Sequence, residues 1–207
     1  MSRDPQRAAT QFFGGRICLD FANTLDWRTS AEPQELIPDY AVFLGWCGRR
    51  GTLSAQAIEA LESIAQKKPA AAAAAQAEIL SLRSEIWSIC DALRRGERSD
   101  LSFVNALLAQ ALPQPSLVRT DGSYLHNLPG KTLSEPLWPI LWSLIAVLTS
   151  ADAARIGCCQ ADGCGWFYVD ESPNRTRLWC SSEVCGNRER ARRAYAKRRK
   201  KVAGKRD

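Results

Sequence analysis

Histidine is all but missing from this chain: its 207 residues include one, His126. With no nucleophile motif around that residue, a base–nucleophile pair is a poor reading. There is no GxSxG turn and no glycine loop of the kind that cradles phosphate; Gly14-Gly15 alone is too short for one. The chain therefore reads as a non-enzyme. Long apolar runs are missing as well. The most apolar stretch, Leu137 to Thr149, contains Pro139 and falls short of the roughly 20 residues that span a bilayer. It reads as a buried helix. Met1 to Thr10 holds no apolar segment of the kind a secretion signal needs. The expectation is a cytoplasmic protein with no membrane partner.

What is present points elsewhere. The hydrophobic share of 45% and seven tryptophans suit a globular chain with a real core. The net charge of +6 is unevenly spread: Gly186 to Asp207 carries eleven Lys or Arg and two acids, a local charge of +9, so the rest sums to −3. A basic tail on a mildly acidic body predicts a polyanion partner, nucleic acid first among them and DNA the expected form. Eight cysteines in a cytoplasmic chain are expected to stay reduced, and paired ones there more often hold metal than disulfides.

The pattern along the chain predicts an α+β body. Arg16 to Thr24 alternates partly and reads as a short strand running into a turn or helix. Tyr40, Phe43, Leu44 and Cys47 fall at helical spacing, ended by Gly48 and Gly51. Ser54 suits the N-cap of a helix carrying Ile58, Leu61 and Ile64. Pro69 and six alanines open a long helix, with Ile79, Leu82, Ile86, Ile89, Cys90 and Leu93 as its buried stripe and Gly96 as its stop. A shorter helix is expected over 101–112. Leu117 to Leu128 reads as a hairpin around Asp121-Gly122, and Trp138 to Leu148 as the buried helix. The division is expected near Ser150 to Arg155, as a 1–152 body and a 153–207 metal segment. No proline-rich linker stands there, so the two can pack together.

The metal segment is read from its thiols. Cys164, Cys180, Cys185 and one of the adjacent Cys158 and Cys159 form two pairs. Thiolates so spaced can enclose one zinc ion tetrahedrally. Gly163 and Gly165 flank Cys164, as a tight metal-binding turn needs. The runs Trp166 to Val169 and Arg177 to Trp179 read as two strands around a turn at Ser172-Pro173-Asn174, with Cys180 ending the second. Cys185 then lies in or just before the first turn of a basic helix. Knuckle, hairpin and helix make a treble-clef arrangement. So small a unit has too little core of its own, and metal would supply much of its stability.

These residues carry a resemblance. The first cysteine pair, Asp170, Asn174, Arg177, Trp179-Cys180 and Cys185-Gly186-Asn187-Arg188 resemble the CGNR zinc finger. Leu19-Asp20-Phe21-Ala22-Asn23-Thr24 and Leu44-Gly45-Trp46 resemble its usual partner, the ABATE domain. The resemblance implies a bacterial stress-induced transcription regulator with one structural Zn2+. Its spacing selects Cys159 over Cys158, so the implied ligands are Cys159, Cys164, Cys180 and Cys185. Cys158 becomes a spare thiol packed on the body.

The helix after Cys185 is expected to pack a stripe of Val184, Ala191, Ala194, Tyr195 and Val202 on the hairpin. Its other faces present the candidate nucleic-acid contacts: Asn187, Arg188, Arg190, Arg192, Arg193, Lys197, Arg198, Arg199 and Lys200. Two readings stay open at two positions. Asn187 either meets a base or bonds backbone near the zinc turn; Arg188 either meets nucleic acid or stacks on Trp179 or holds Asp170. Asp20 and Asn23 are the candidate lining of a small-molecule effector pocket, or else caps of a strand-to-helix turn. A second copy of the chain is a further candidate partner.

Overall fold

In the computed structural model, residues 11–111, 117–120 and 123–203 are described. Gly14 lies just before the first helix. A Cβ there would meet the Leu19 Cβ at 2.7 Å and the Asp20 nitrogen at 2.8 Å, so the bare glycine lets the chain fold back onto helix α1, Ile17–Ala22. The expected strand at this place is a helix instead. Cys18, Leu19, Asp20, Phe21 and Ala22 are all buried, and burial on every side erases the periodicity that distinguishes the two forms. A small antiparallel ribbon follows, β1 (Leu25–Asp26) with β2 (Gln34–Glu35).

Helices α2 (Tyr40–Arg50), α3 (Ala55–Lys67), α4 (Pro69–Arg95) and α5 (Ser102–Ala111) build the body. Local chemistry sets their ends. The Asp39 carboxylate accepts from the Val42 N–H, and the Ser54 hydroxyl from the Ala57 N–H, each satisfying a donor the helix cannot. Gly51 and Gly96 close α2 and α4 at φ 72° and 70°, the left-handed stop. Gly48 does not end α2; it stays helical, with Ile58 filling the space where a Cβ would sit. Ile79, Leu82, Ile86, Ile89 and Cys90 of α4 are buried, as their spacing predicts.

Strands β3 (Leu117–Thr120) and β4 (Ser123–His126) pair antiparallel with Thr120 opposite Ser123. The expected turn residues Asp121 and Gly122 lie outside the described residues. Buried helix α6 (Trp138–Leu148) packs on α1. No helix among the described residues is long and apolar enough to cross a membrane.

The division expected at 152/153 falls inside a 3-10 turn, Ala151–Arg155. Strand β5 (Ile156–Cys158) follows and pairs antiparallel with β6 (Phe167–Val169). The partner of β6 is thus β5, not residues 177–179, which form no strand. Successive side chains of a strand face opposite ways. Phe167 and Val169 join the core of the body, while Trp166 and Tyr168 join a second cluster with the cysteines. One short strand therefore belongs to two cores.

Asn23, just past α1, fastens that strand. Its Nδ2 donates to the Phe167 carbonyl and its Oδ1 accepts from the Phe167 N–H, both at 2.8 Å. The side-chain amide acts as one more rung of sheet. Asn23→Ala leaves a buried backbone donor and acceptor unpaired. It should lower unfolding free energy by about 2–4 kcal/mol, read as a shifted urea midpoint with an unchanged slope.

Candidate metal centre and its basic helix

The connection between β5 and β6 is the metal knuckle itself. The Cys159 N–H donates to the Trp166 carbonyl (2.8 Å), extending the ladder by one rung, and the Cys164 N–H donates to the Ala161 carbonyl (3.0 Å), closing the turn. Gly163 and Gly165 hold φ of 74° and 65°, left-handed positions that glycine takes without strain. The turn aims the sulfurs of Cys159 and Cys164 inward. The second pair comes from the other side. Ser181 caps the Val184 N–H, and a wide helical turn, Ser182–Gly186, carries Cys185 directly into helix α7, Asn187–Ala203.

The four sulfurs of Cys159, Cys164, Cys180 and Cys185 are buried and lie within 4.8 Å of one another. Three separations are 3.8 Å (Cys164–Cys180), 3.5 Å (Cys180–Cys185) and 3.7 Å (Cys164–Cys185). Zinc bound at about 2.3 Å to a tetrahedron of thiolates spaces its sulfurs about 3.8 Å apart. A disulfide would need about 2.05 Å, and all eight cysteines are free. Electrostatics agree. Hydrogen bonding from Cys164, and then from Cys180 and Cys185, drives the Cys159 thiol far down, while the contact with Cys159 drives Cys164 and Cys180 far up. Sulfurs this close cannot all carry charge without a cation among them. The site binds one structural zinc. Four cysteines leave no open coordination position, so zinc supplies a cross-link here, worth on the order of 10–16 kcal/mol in small finger peptides near neutral pH.

The remaining thiols differ. Burial pushes Cys18 and Cys47 up to about 12 and Cys90 up as well; they are core side chains. Cys158 is half-buried against the body, 4.0 Å from the Arg28 guanidinium.

Residues 170–180 are tied by side chains where a strand was expected. The Asp170 carboxylate accepts from the N–H groups of Ser172 (2.9 Å) and Arg177 (3.0 Å). The Arg177 guanidinium donates to the carbonyls of Phe13, Val169, Trp179 and Cys180 and lies over the Tyr168 ring at 4.2 Å. Five donors in one planar group replace a ladder.

The basic helix divides into two parts. Its first two turns are latched. Arg188 donates to the Asp162 carbonyl (3.2 Å) and lies 4.3 Å over the Trp27 ring of the body. Arg190 donates to the Ser182 carbonyl (3.1 Å) and the Asn187 Oδ1 (2.6 Å). Arg192 pairs with Asp162 and with Glu189, a carboxylate only 4% exposed. Arg193 stands 6.0 Å over Trp179. Asn187 therefore serves Arg190, and Arg188 stacks on Trp27 rather than on Trp179 or Asp170. Beyond this point Lys197, Arg198 and Arg199 are exposed, with no ion pair or hydrogen bond among the described residues. The side chain of Lys200 lies outside them.

The expected apolar stripe is exposed at its middle; Val184 is half-buried and the side chain of Val202 lies outside the described residues. Ala191 and Ala194 are exposed and Tyr195 is 65% exposed. Asp20 and Asn23 are both buried and bonded within the protein. Asp20 accepts from the Gly14 N–H (2.8 Å) and the Arg50 Nε (2.9 Å), burial holding it above the usual carboxylate range against those two donors. Asn23 is committed to Phe167. The groove nearby, of about 430 Å³, is lined instead by Gly15, Arg16, Ile17, Arg50, Pro139, Trp142 and Ser143.

A family profile described as "ABATE: Putative stress-induced transcription regulator" matches residues 15–151. The chain belongs to the ABATE family. The CGNR zinc finger profile matches residues 155–198, which spans all four cysteines and the latched turns of α7. No curated protein matches the chain. In the ABATE body the residues that reach the knuckle unannounced by composition are Trp27 and Arg28. They sit in a loop whose sequence carries no motif, and only the fold brings them to the knuckle.

The adjacent thiols give a sharp test. Cys159→Ser should lose zinc and Cys158→Ser should retain one zinc per chain, counted by inductively coupled plasma mass spectrometry on purified protein.

Proposed function

We propose that this zinc-binding member of the ABATE family is a nucleic-acid-binding regulator that grips the phosphate backbone of duplex DNA with the far end of α7. The observation that carries the reading is the division of that helix. Asn187, Arg188, Arg190 and Arg192 engage neighbouring protein groups at the surface. Lys197, Arg198 and Arg199 stand free in solvent. Four cations from Lys197 to Lys200 on a helix fixed at its base suit phosphates, which position a protein without specifying sequence. The zinc and the latched turns hold the helix; the free turns make the contact. The groove beside Arg50 and Trp142 is where a small effector of the body would bind.

Binding of labelled duplex DNA, followed by anisotropy across salt concentrations, tests this. About four phosphate contacts give a log–log slope near −3.6. Reversing charge at Lys197, Arg198 and Arg199 together should abolish binding, whereas Arg190→Ala should leave the slope unchanged. Absence of binding at low salt, or indifference to the triple reversal, overturns the proposal. Structured RNA that outcompetes the duplex moves it to RNA.

A further inference from the structure

The loop between β1 and β2 leaves the body and lies along the metal knuckle. The N–H groups of Arg28 and Thr29 donate to the carbonyls of Cys164 (3.2 Å) and Gly163 (3.3 Å). The Arg28 Nε donates to the Gly165 carbonyl (2.9 Å). Below it the Trp166 Nε1 donates to the Leu25 carbonyl (3.0 Å). The loop is thus bonded to three consecutive knuckle residues, one of them a metal ligand.

Trp27 heads this loop at φ 55°, in the left-handed region that bulky side chains rarely adopt. The surroundings enforce it. Its N–H donates to the Asp26 carboxylate (3.0 Å) and its carbonyl accepts from the Ser30 N–H (2.8 Å). This backbone turns the indole onto the finger. The ring fills the space beside Gly163, where a Cβ would come within 2.9 Å of it. The Arg188 guanidinium lies over the same ring at 4.3 Å. One body side chain therefore touches both the turn that holds two zinc ligands and the first turn of the basic helix. Strain retained at a bulky residue marks a place where the conformation itself is used.

We propose that Trp27 is the positioning residue of the finger: through its indole the body braces the zinc knuckle and sets the direction of α7. The claim goes beyond the nucleic-acid reading and stands without it, because it concerns how the helix is aimed and not what the helix meets. Groups beyond the ligands orient a metal site and tune how firmly it holds its ion. A cation stacked on an indole is likewise directional. Movement of the β1–β2 loop would reach metal and helix together.

The test uses full-length, zinc-loaded protein and no nucleic acid. One readout is the rate at which 4-(2-pyridylazo)resorcinol strips zinc. The other is hydrogen–deuterium exchange at residues 187–193, with α4 as the internal reference. Trp27→Ala should speed both by about tenfold and leave exchange in α4 unchanged. Trp27→Phe, which keeps a ring face, should restore most of the parent behaviour. Arg188→Gln should speed exchange at 187–193 alone. Rates within twofold of the parent in Trp27→Ala, or a rise shared equally by α4, overturn the proposal. Should Trp27→Ala fail to fold, unchanged exchange at 187–193 in Arg188→Gln overturns it.

Discussion

Four sulfur atoms converge on one point, and the rest of this protein is arranged around that convergence. Cys159 and Cys164 belong to the turn of the β5–β6 hairpin, Cys180 to a loop without regular structure, and Cys185 to the turn that opens α7. No apolar core of that size could fix three such different pieces. A cation can, because each thiolate it gathers is held at a set distance and angle.

The finger does not stand alone. Strand β6 sends Phe167 and Val169 into the body and Tyr168, with the preceding Trp166, toward the sulfurs. Asn23 grips the strand from one side, and Arg28 and Thr29 grip the knuckle from the other. Two cores thus share one three-residue strand. A force on the metal turn is a force on the ribbon of the body, since backbone and side-chain hydrogen bonds join the two. The basic helix inherits its direction from this joint.

Much of this was legible in the residues. Ser54 as a cap, Pro69 with its alanines as a helix start and Gly51 and Gly96 as stops act through local backbone chemistry, which sequence carries directly. The cysteine pairs were legible because metal geometry restricts spacing. Other features depend on partners distant in sequence. Residues 18–22 are all buried, so periodicity offered no choice between strand and helix. The aromatic run at Trp166 to Val169 marked a strand but not its partner; β5 takes that place because Arg177 spends its guanidinium on four carbonyls and leaves no second strand to pair. The cations of α7 look alike in sequence. Only the positions of Asp162, Trp27 and Glu189 separate those with a protein partner from those with none among the described residues.

The most direct measurement of the central claim is X-ray absorption at the zinc K-edge on the purified full-length protein. The account predicts a single shell of four sulfur scatterers at about 2.3 Å. A shell containing oxygen or nitrogen, fewer than four sulfurs, or a protein that keeps its fold with no zinc to absorb, would contradict it.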